Sequence, residues 1–251
     1  MKEQLKATAL VTGASRGVGK AIAIELAKRG FRIFLHYHRN QKAASDTLAE
    51  LVGSGHILFN ADLGDQKEIE ALFENIHKET ESLDVLVNNA AIALPHPIDM
   101  PDDQWINVFQ KTIETNLIGP ASIVKNSLHL LRKSTRAVII NISSRGAYRG
   151  EPEMPGYGAS KAGLNSLTQS MAKVLGSEAI SVFGIAPGFI DTEMADHLLS
   201  DDERKLVIAQ SPLNRMATVD EIASLVGFLT TSNSAYMTGS IIDVNGASYF
   251  R

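Results

Sequence analysis

A tyrosine and a lysine four residues apart are the side chains of this sequence best suited to acid–base chemistry. On a helix, Tyr157 and Lys161 would lie one turn apart on the same face. A phenol ionises with a pKa of about 10, and we expect a neighbouring ammonium to lower that pKa by favouring the phenolate. Tyr157 could then give a proton to a carbonyl oxygen during reduction, or take one in the reverse direction. Taken alone, such a pair is more often an exposed helical face.

Ser143 and Ser144 precede this pair across a loop rich in Gly, Pro and charge, in which we expect no regular structure. The loop follows an apolar run that has the character of a buried strand. Open α/β sheets bind ligands at the carboxyl ends of their strands, and a place beyond such a strand end favours a functional role for Tyr157 and Lys161. Either serine could instead satisfy a backbone group at the strand end.

A glycine-rich turn near the N-terminus has the spacing Gly-x-x-x-Gly-x-Gly, with its glycines at Gly13, Gly17 and Gly19. Glycines let a chain turn tightly and approach a ligand closely, and the free N–H groups of a helix N-terminus attract phosphate. The turn lies between an apolar run and an amphipathic segment, and this context predicts a nucleotide site.

The end of the second apolar run indicates which dinucleotide would bind there. Enzymes selective for NAD place an acid at this point, whereas this chain has Tyr37, His38 and Arg39. The missing carboxylate removes repulsion against a 2'-phosphate, and Arg39 could supply a counter-charge, as could Arg16 in the glycine-rich turn. Both arginines could also be ordinary solvated surface charges.

Short apolar runs alternate with longer amphipathic segments along the chain, which predicts parallel strands joined by helical crossovers. The runs cover residues 7–12, 31–36, 56–60, 84–88, 137–142, 180–186 and 240–244. Seven such strands predict an α/β protein with a single Rossmann-fold domain over residues 1–251, a doubly wound parallel sheet with helices on both faces. One long helix is expected at about 102–131, and residues 191–215 interrupt the alternation as a candidate lid.

The bulk composition excludes several other classes of protein. The chain of 251 residues has a net charge of −4 and no cysteine, which argues against nucleic acid as a partner and excludes thiolate metal sites. No apolar run reaches the roughly 18 residues of a membrane span, and the N-terminus lacks the order of a signal peptide. The seven histidines form no metal-ligand set. We therefore expect a cytoplasmic protein without a metal or a membrane anchor.

Three motifs in this order resemble the short-chain dehydrogenase/reductase family: TGxxxGxG, NNAA at 88–91, and Tyr157-x-x-x-Lys161. The resemblance covers essentially the whole chain and implies a carbonyl reductase or alcohol dehydrogenase that uses NADP(H). The catalytic residues that it implies are Asn116, Ser144, Tyr157 and Lys161. The implied cofactor-binding residues are Gly13, Ser15, Arg16, Gly17, Val18, Gly19, His38, Arg39, Asp62, Leu63, Asn89, Ala90, Tyr157, Lys161, Pro187, Gly188, Ile190 and Thr192.

Three of these assignments keep an alternative. The family has its serine about 13 residues before the tyrosine, which selects Ser144. Many relatives also have a glycine three residues after that serine, but this chain has Ala147 there and its glycine one position earlier. Counting back three residues from Gly146 would select Ser143. Asn116 would kink its helix and hold a water near Lys161, or it could bond a neighbouring strand. Asp62 could contact adenine, cap a helix, or do both.

The C-terminal third resembles the 3-oxoacyl-[acyl-carrier-protein] reductases within the family, which implies reduction of a 3-oxoacyl thioester. Arg132, Lys133 and Arg136 could face an acidic carrier protein, but Glu178 lies where those reductases often have a basic residue. Another ketone, a sugar or an alcohol therefore stays open as the substrate. So does a non-catalytic NADP-binding regulatory protein, although no expected catalytic residue is missing. Family members are commonly tetramers whose interfaces use the long helix, the helix of Tyr157 and the last strand, and we expect a homotetramer.

Overall fold

The computed structural model describes residues 7–251, with side chains throughout that range except at positions 194 and 197. The first six residues of the predicted domain therefore lie outside the described residues. The strands are β1 (Thr8–Val11), β2 (Arg32–Tyr37), β3 (Ile57–Asn60), β4 (Val85–Asn88), β5 (Ala137–Ile142), β6 (Ile180–Pro187) and β7 (Ile241–Val244). The helices are α1 (Gly17–Lys28), α2 (Gln41–Glu50), α3 (Gln66–Glu79), α4 (Asp102–Ile113), α5 (Gly119–Leu131), α6 (Gly146–Arg149), α7 (Pro155–Leu175), α8 (Glu193–Leu198), α9 (Asp201–Ala209) and α10 (Val219–Leu229).

All seven strands pair in parallel in one sheet, in the order β3-β2-β1-β4-β5-β6-β7. The predicted doubly wound sheet is confirmed, and its strands match the seven apolar runs. The strand order reverses between β1 and β4: the chain continues from β1 toward β2 and β3 on one side, and from β4 toward β5, β6 and β7 on the other. Such a reversal opens a crevice at the carboxyl ends of these two strands, where α/β proteins bind nucleotides.

Two apolar cores cover the two faces of the sheet. Alternate residues of a strand point to opposite faces, so Leu10 of β1 packs with α3, α5 and α7, whereas Val11 packs with α1, α2 and α10. Leu86 and Val87 of β4 divide in the same way. A strand that is buried on both faces needs apolar residues at every position, which is why these strands read as continuous apolar runs.

Three parts of the chain show local structure that the sequence did not predict. The long helix is interrupted by a π-helical turn at Glu114–Ile118, between α4 and α5. The loop after Ser144 contains the short helix α6, which we did not expect. The candidate lid contains α8 and α9, the second of which begins with a capping box between Ser200 and Glu203.

No helix within residues 7–251 combines the length and the apolar character needed to cross a bilayer.

Candidate active site

A cavity of about 500 Å³ opens at the carboxyl ends of the central strands. Every residue predicted above to bind the cofactor lines it, together with Ser143, Ser144, Tyr157 and Lys161. Asn116 does not line the cavity directly. Further residues on its wall were not predicted, and those used below are His36, Arg145, Glu151, Met154, Phe189 and Glu193.

The glycine-rich turn is shaped by close backbone contacts. Gly13 has a φ of +63°, and a Cβ atom there would lie 2.8 Å from the Cα of Ala90. A Cβ on Gly19 would lie 2.3 Å from the carbonyl oxygen of Gly13. Helix α1 then begins at Gly17 without a side-chain cap, because Arg16 provides none. Its first N–H groups therefore face the cavity as a site for phosphate.

Asn89 and Thr12 join this turn to the end of β4. The amide of Asn89 donates to the carbonyl oxygens of Thr12 and Gly13, at 2.9 and 3.1 Å. The Thr12 hydroxyl accepts from the backbone N–H groups of Asn89 and Ala90, at 2.9 and 3.0 Å. These bonds hold the two sides of the crevice in a fixed spacing.

His36 on β2 supports the same turn from below. Its Nδ1 accepts a hydrogen bond from the N–H of Gly13 at 3.1 Å, so the ring proton lies on Nε2, which is 3.0 Å from the carbonyl oxygen of Ala61. Burial lowers the pKa of His36 to about 4, so the ring is neutral at physiological pH. A polar residue within an apolar strand was the one sequence signal for this role.

The rim of the cavity beyond β2 is polar and contains positive charge. Tyr37 is buried, whereas His38 and Arg39 are exposed at the mouth. Nε2 of His38 lies 3.4 Å from the carboxylate of Asp62, the acid that follows β3. Arg16 approaches from the other side and pairs with Glu193 of α8 at 3.0 Å, both side chains being well exposed. No carboxylate occupies the end of β2, which fits a 2'-phosphate at this rim.

Asp62 serves as a turn residue. Its Oδ1 accepts from the N–H of Gly64 at 2.9 Å, and the side chain that caps α3 belongs to Asp65. Asp62 therefore does not cap α3, which was one of its expected roles. It does line the cavity, and its contact with adenine stays a prediction.

Tyr157 and Lys161 both lie in the first half of α7, as their spacing predicts. The Tyr157 side chain is partly buried on the cavity wall, and burial raises its pKa to about 12. A hydrogen bond with Ser144 opposes the shift, and the carboxylate of Glu151 adds to it. The expectation that the Lys161 ammonium lowers the pKa of Tyr157 is therefore wrong for this structure. At neutral pH Tyr157 is a protonated phenol, the form that can act as an acid.

Lys161 points toward the end of β5. Its Nζ donates to the carbonyl oxygen of Ile142 at 2.8 Å and lies 5.7 Å from the centre of the Tyr157 ring. Burial lowers the pKa of the ammonium to about 8, so most of it is charged at neutral pH. The lysine is thus held beside the tyrosine by the strand that also supplies the serines.

The two candidate serines have different surroundings. The Ser143 hydroxyl is turned toward the helix backbone and donates to the carbonyl oxygen of Lys161 at 3.3 Å. The Ser144 hydroxyl accepts from the N–H of Gly146 at 3.0 Å and bonds the Tyr157 side chain. Ser144 is therefore the serine that meets the tyrosine hydroxyl, in agreement with the assignment counted from Tyr157.

Asn116 is buried in the π-helical turn and bonds a loop instead of a strand. Its Oδ1 accepts from the N–H of Ile92 at 2.9 Å, and its Nδ2 donates to the carbonyl oxygen of Ile92 at 2.8 Å. Nδ2 also lies 3.3 Å from the hydroxyl of Ser160, which donates to the carbonyl oxygen of Tyr157 at 2.7 Å. The loop after β4 is thereby fixed to α7, the helix that carries Tyr157 and Lys161.

His96 fixes the same loop at a second point and was not predicted. It is fully buried; its Nε2 accepts from the N–H of Gly156 at 2.9 Å, and its Nδ1 donates to the carbonyl oxygen of Leu94 at 2.7 Å. Helix α7 has no side-chain cap of its own, so His96 satisfies the N–H directly before Tyr157. Nothing in the sequence links positions so far apart.

Arg145 is a buried guanidinium on the cavity wall, directly after Ser144. Its two Nη groups donate to Ser248 at 2.5 Å and to Gln210 at 2.6 Å, and its charge lies 5.0 Å from the centre of the Phe189 ring. Burial lowers its pKa to about 10, which keeps it charged at neutral pH. Arg145 thus joins the end of β5 to the end of α9 and to the C-terminal segment.

The segment after β6 forms the floor and the near side of the cavity. A Cβ on Gly188 would lie 3.0 Å from the Cα of Asn245, so the chain packs closely here. Thr192 caps α8, and its Cγ2 lies 3.8 Å from the Cβ position of Gly17. Arg204 of α9 pairs with Asp191, which precedes α8, and with Asp196 on α8, and so joins α9 to α8.

The basic residues considered for a carrier protein are largely engaged. Arg132 forms two hydrogen bonds with Glu178, at 2.5 and 3.0 Å, and Arg136 donates to the carbonyl oxygen of Thr230 at 2.5 Å. Glu178 thus neutralises the first of these cations.

Together, a parallel sheet with a phosphate-binding turn at its crevice and a tyrosine, a lysine and a serine on the same cavity define an oxidoreductase that binds a dinucleotide. A sequence model of the family described as "Enoyl-(Acyl carrier protein) reductase" matches residues 13–247. The chain belongs to the short-chain dehydrogenase/reductase family.

Relatives of known name cover nearly the whole chain. A 3-oxoacyl-[acyl-carrier-protein] reductase, FabG, of Staphylococcus aureus (strain Mu50) is 36% identical over 245 residues, which are 96% of this chain and 98% of that protein. FabG of Escherichia coli (strain K12) is 38% identical over 244 residues, 96% of each chain.

Two solved structures with the same fold are also named as reductases. The angucycline C-6 ketoreductase LanV with bound NADP has a TM-score of 0.88 at 30% identity, covering 96% of this chain and 95% of its own. A dehydrogenase/reductase from Sinorhizobium meliloti 1021 has a TM-score of 0.89 at 28% identity, with coverage of 97% and 95%.

Proposed function

We propose that this protein is an NADPH-dependent reductase of 3-oxoacyl thioesters, with the 3-oxoacyl group carried on acyl carrier protein and the 3-hydroxyacyl thioester as product. The observation that carries the proposal is the contact between the Ser144 and Tyr157 side chains beside Lys161, at the inner end of a cavity whose outer end fits a dinucleotide. The relatives named as 3-oxoacyl-[acyl-carrier-protein] reductases support the choice of substrate.

The outer part of the cavity fits NADPH in three respects. The turn leaves no room for a side chain at Gly13 or Gly19, and the first N–H groups of α1 are uncapped. At the rim, the end of β2 lacks the acid of an NAD enzyme, and Arg39 and Arg16 supply positive charge from its two sides. Bound there, the cofactor would supply a hydride to the substrate carbon.

The chain's own residues would control the proton and the substrate oxygen. Ser144 would hold the carbonyl oxygen beside the phenol, and Tyr157 would protonate that oxygen as negative charge develops on it. Because burial raises the pKa of Tyr157 to about 12, the phenol is protonated at neutral pH and carries the proton that the reduction consumes. Lys161 would stabilise the phenolate that results and bond the nicotinamide ribose. Asn116 would hold the loop after β4 and a water that returns the proton.

NADPH oxidation in the presence of acetoacetyl thioesters tests the proposal. We expect turnover with the acetoacetyl thioester of acyl carrier protein, a lower rate with NADH, and loss of at least about a thousandfold in kcat for Tyr157→Phe, of the order that removal of a catalytic acid–base group produces. Binding of NADPH, followed by fluorescence, should remain in that variant. Binding of NADPH by the wild-type protein without turnover of any thioester or ketone would favour a regulatory role instead.

The pairing of Arg132 with Glu178 favours a second candidate, a reductase of ketones that are not attached to a carrier protein. The two are separated by comparing the carrier-protein thioester with the N-acetylcysteamine thioester and with small ketones. A kcat/KM that does not depend on the carrier protein would select the second candidate.

We also infer that the protein assembles as a homotetramer. Large apolar side chains are exposed on the helices and the C-terminal segment that the family resemblance assigns to subunit interfaces: Ile106 on α4, Val174 on α7, and Phe250 after β7. Covering such residues is a common reason for association.

A further inference from the structure

Glu151 is an acidic side chain at the catalytic end of the cavity, and neither the sequence motifs nor the family assignment gives it a role. It lies between α6 and α7 and lines the cavity wall together with Ser144, Met154 and Tyr157. Only 15% of its side chain is exposed. A carboxylate buried to this degree beside the reacting group calls for an explanation.

The backbone around Glu151 is built to admit the carboxylate. A Cβ on Gly146 would lie 2.5 Å from Oε1 of Glu151, 2.9 Å from its Cγ and 3.1 Å from its Cδ. Any side chain at position 146 would therefore displace the carboxylate. Gly158 on the next helix also packs on this residue, with its Cβ position 3.4 Å from the N atom of Glu151. The glycine at 146, one position earlier than expected, is thus explained by the acid that it accommodates.

The charge of Glu151 is only weakly compensated. Within the described residues its carboxylate accepts hydrogen bonds from Arg149 alone, at 3.3 to 3.4 Å. Bonds between a guanidinium and a carboxylate are usually about 2.7–2.9 Å long. The Arg215–Glu221 pair on the surface of this protein has 2.8 and 2.7 Å. Arg145, the other cation nearby, directs its Nη groups to Ser248 and Gln210.

We propose that Glu151 is a specificity-determining residue, which selects against 3-oxo acids with a free carboxylate and restricts the site to 3-oxoacyl compounds whose acyl group is uncharged, such as thioesters. The inference rests on the proposed function. A substrate carbonyl that reaches Ser144 and Tyr157 brings its acyl group to the same wall as Glu151. A carboxylate there meets a like charge in a partly buried site, whereas a thioester does not.

The test compares two substrates with the same ketone: acetoacetate, and the acetoacetyl thioester of N-acetylcysteamine, which is uncharged. Glu151→Gln should raise kcat/KM for acetoacetate relative to the thioester by about tenfold, the order expected for removing one charge about 6 Å away at an effective dielectric constant between 20 and 80. Glu153→Gln is the matched control, because this neighbouring glutamate is exposed and does not line the cavity. It should leave the ratio unchanged.

A second variant predicts a change of opposite sign. Arg149→Gln removes the only guanidinium bonded to Glu151 and should lower the ratio of acetoacetate to thioester by about threefold or more. This result keeps the proposal testable if Glu151→Gln does not fold.

The outcomes for the two proposals are distinct. If the wild-type enzyme reduces no thioester, the proposed function fails. If the thioester is reduced but the substrate ratio of Glu151→Gln stays within twofold of wild type, or rises equally in Glu153→Gln, the role of Glu151 is refuted.

Discussion

Acid should destabilise this protein in large part through one buried histidine, His36. Its imidazole accepts from the N–H of Gly13 and faces the carbonyl oxygen of Ala61, and burial lowers its pKa from 6.5 to about 4. Protonation would give the ring a second N–H, directed at the N–H of Gly13, and would place a charge beneath the phosphate-binding turn. The neutral ring is therefore part of the folded structure.

The size of the effect follows from the two pKa values. The unfolded chain takes up a proton at this histidine below about pH 6.5, while the folded protein does so only near pH 4. Between these values the unfolded state binds more protons, so the free energy of unfolding decreases as the pH is lowered. The loss is about 2 kcal/mol by pH 5 and about 3 kcal/mol by pH 4, at 1.36 kcal/mol for each unit of pKa difference. Above pH 6.5 this contribution is complete and constant.

Urea unfolding between pH 7 and pH 4, at one protein concentration, measures this loss for the wild type and for His36→Gln. The glutamine variant starts from a lower stability, because it does not reproduce both hydrogen bonds, but it has no titrating group at this position. Its free energy of unfolding should therefore fall by about 2 kcal/mol less than that of the wild type between pH 7 and pH 5. Parallel curves for the two proteins would refute the reasoning.

Further predictions concern the cofactor rim, the capping histidine, the turn and the assembly. Arg39→Ala should raise the KM for NADPH about tenfold and leave that for NADH within twofold, because it removes a counter-charge to the 2'-phosphate; equal effects on both cofactors would contradict this. His96→Leu should lower kcat more than tenfold with little change in the KM for NADPH, and His96→Gln, which keeps an acceptor, should recover most of it; equal losses would exclude positioning through the hydrogen bond. Gly19→Ala should cost about 2–3 kcal/mol in urea unfolding, because its methyl group would lie 2.3 Å from the Gly13 oxygen, whereas Gly176→Ala, with no atom within 4 Å, should cost less than 1. Light scattering should give four times the 27.1 kDa chain, and a monomer would contradict the tetramer.

The sequence predicted the strands better than it predicted the contacts that hold the site residues in place. The central strands β1, β4 and β5 are buried along their whole length, so burial alone sets their composition. A run such as ATALVT at 7–12 can therefore be recognised without knowledge of its neighbours. The spacing of Tyr157 and Lys161 likewise depends only on the pitch of one helix.

Features that arise from contacts between distant segments could not be predicted in this way. His96 caps a helix 60 positions further along the chain, and Arg145 meets Ser248 across 103 positions. The pKa of Tyr157 is raised and not lowered as predicted, because burial raises it by more than the hydrogen bond with Ser144 lowers it, and burial is a property of the folded cavity. The different bonding of the Ser143 and Ser144 hydroxyls likewise depends on the folded structure, and Ser144 as the substrate-orienting serine stays a prediction.

The π-helical turn at Glu114–Ile118 has a consequence for how the chain tolerates length changes. A π turn holds one residue more than an α turn, so α5 is rotated by about 100° from the face that a continuous helix would present after α4. Deleting one residue of this turn would restore regular helical pitch, yet it would rotate one helix against the other and turn α4 away from α7 or α5 away from the sheet. The extra residue acts as a phase shift between two packing surfaces, and insertions or deletions of one residue should be tolerated far less here than in the loops at either end of the helix pair.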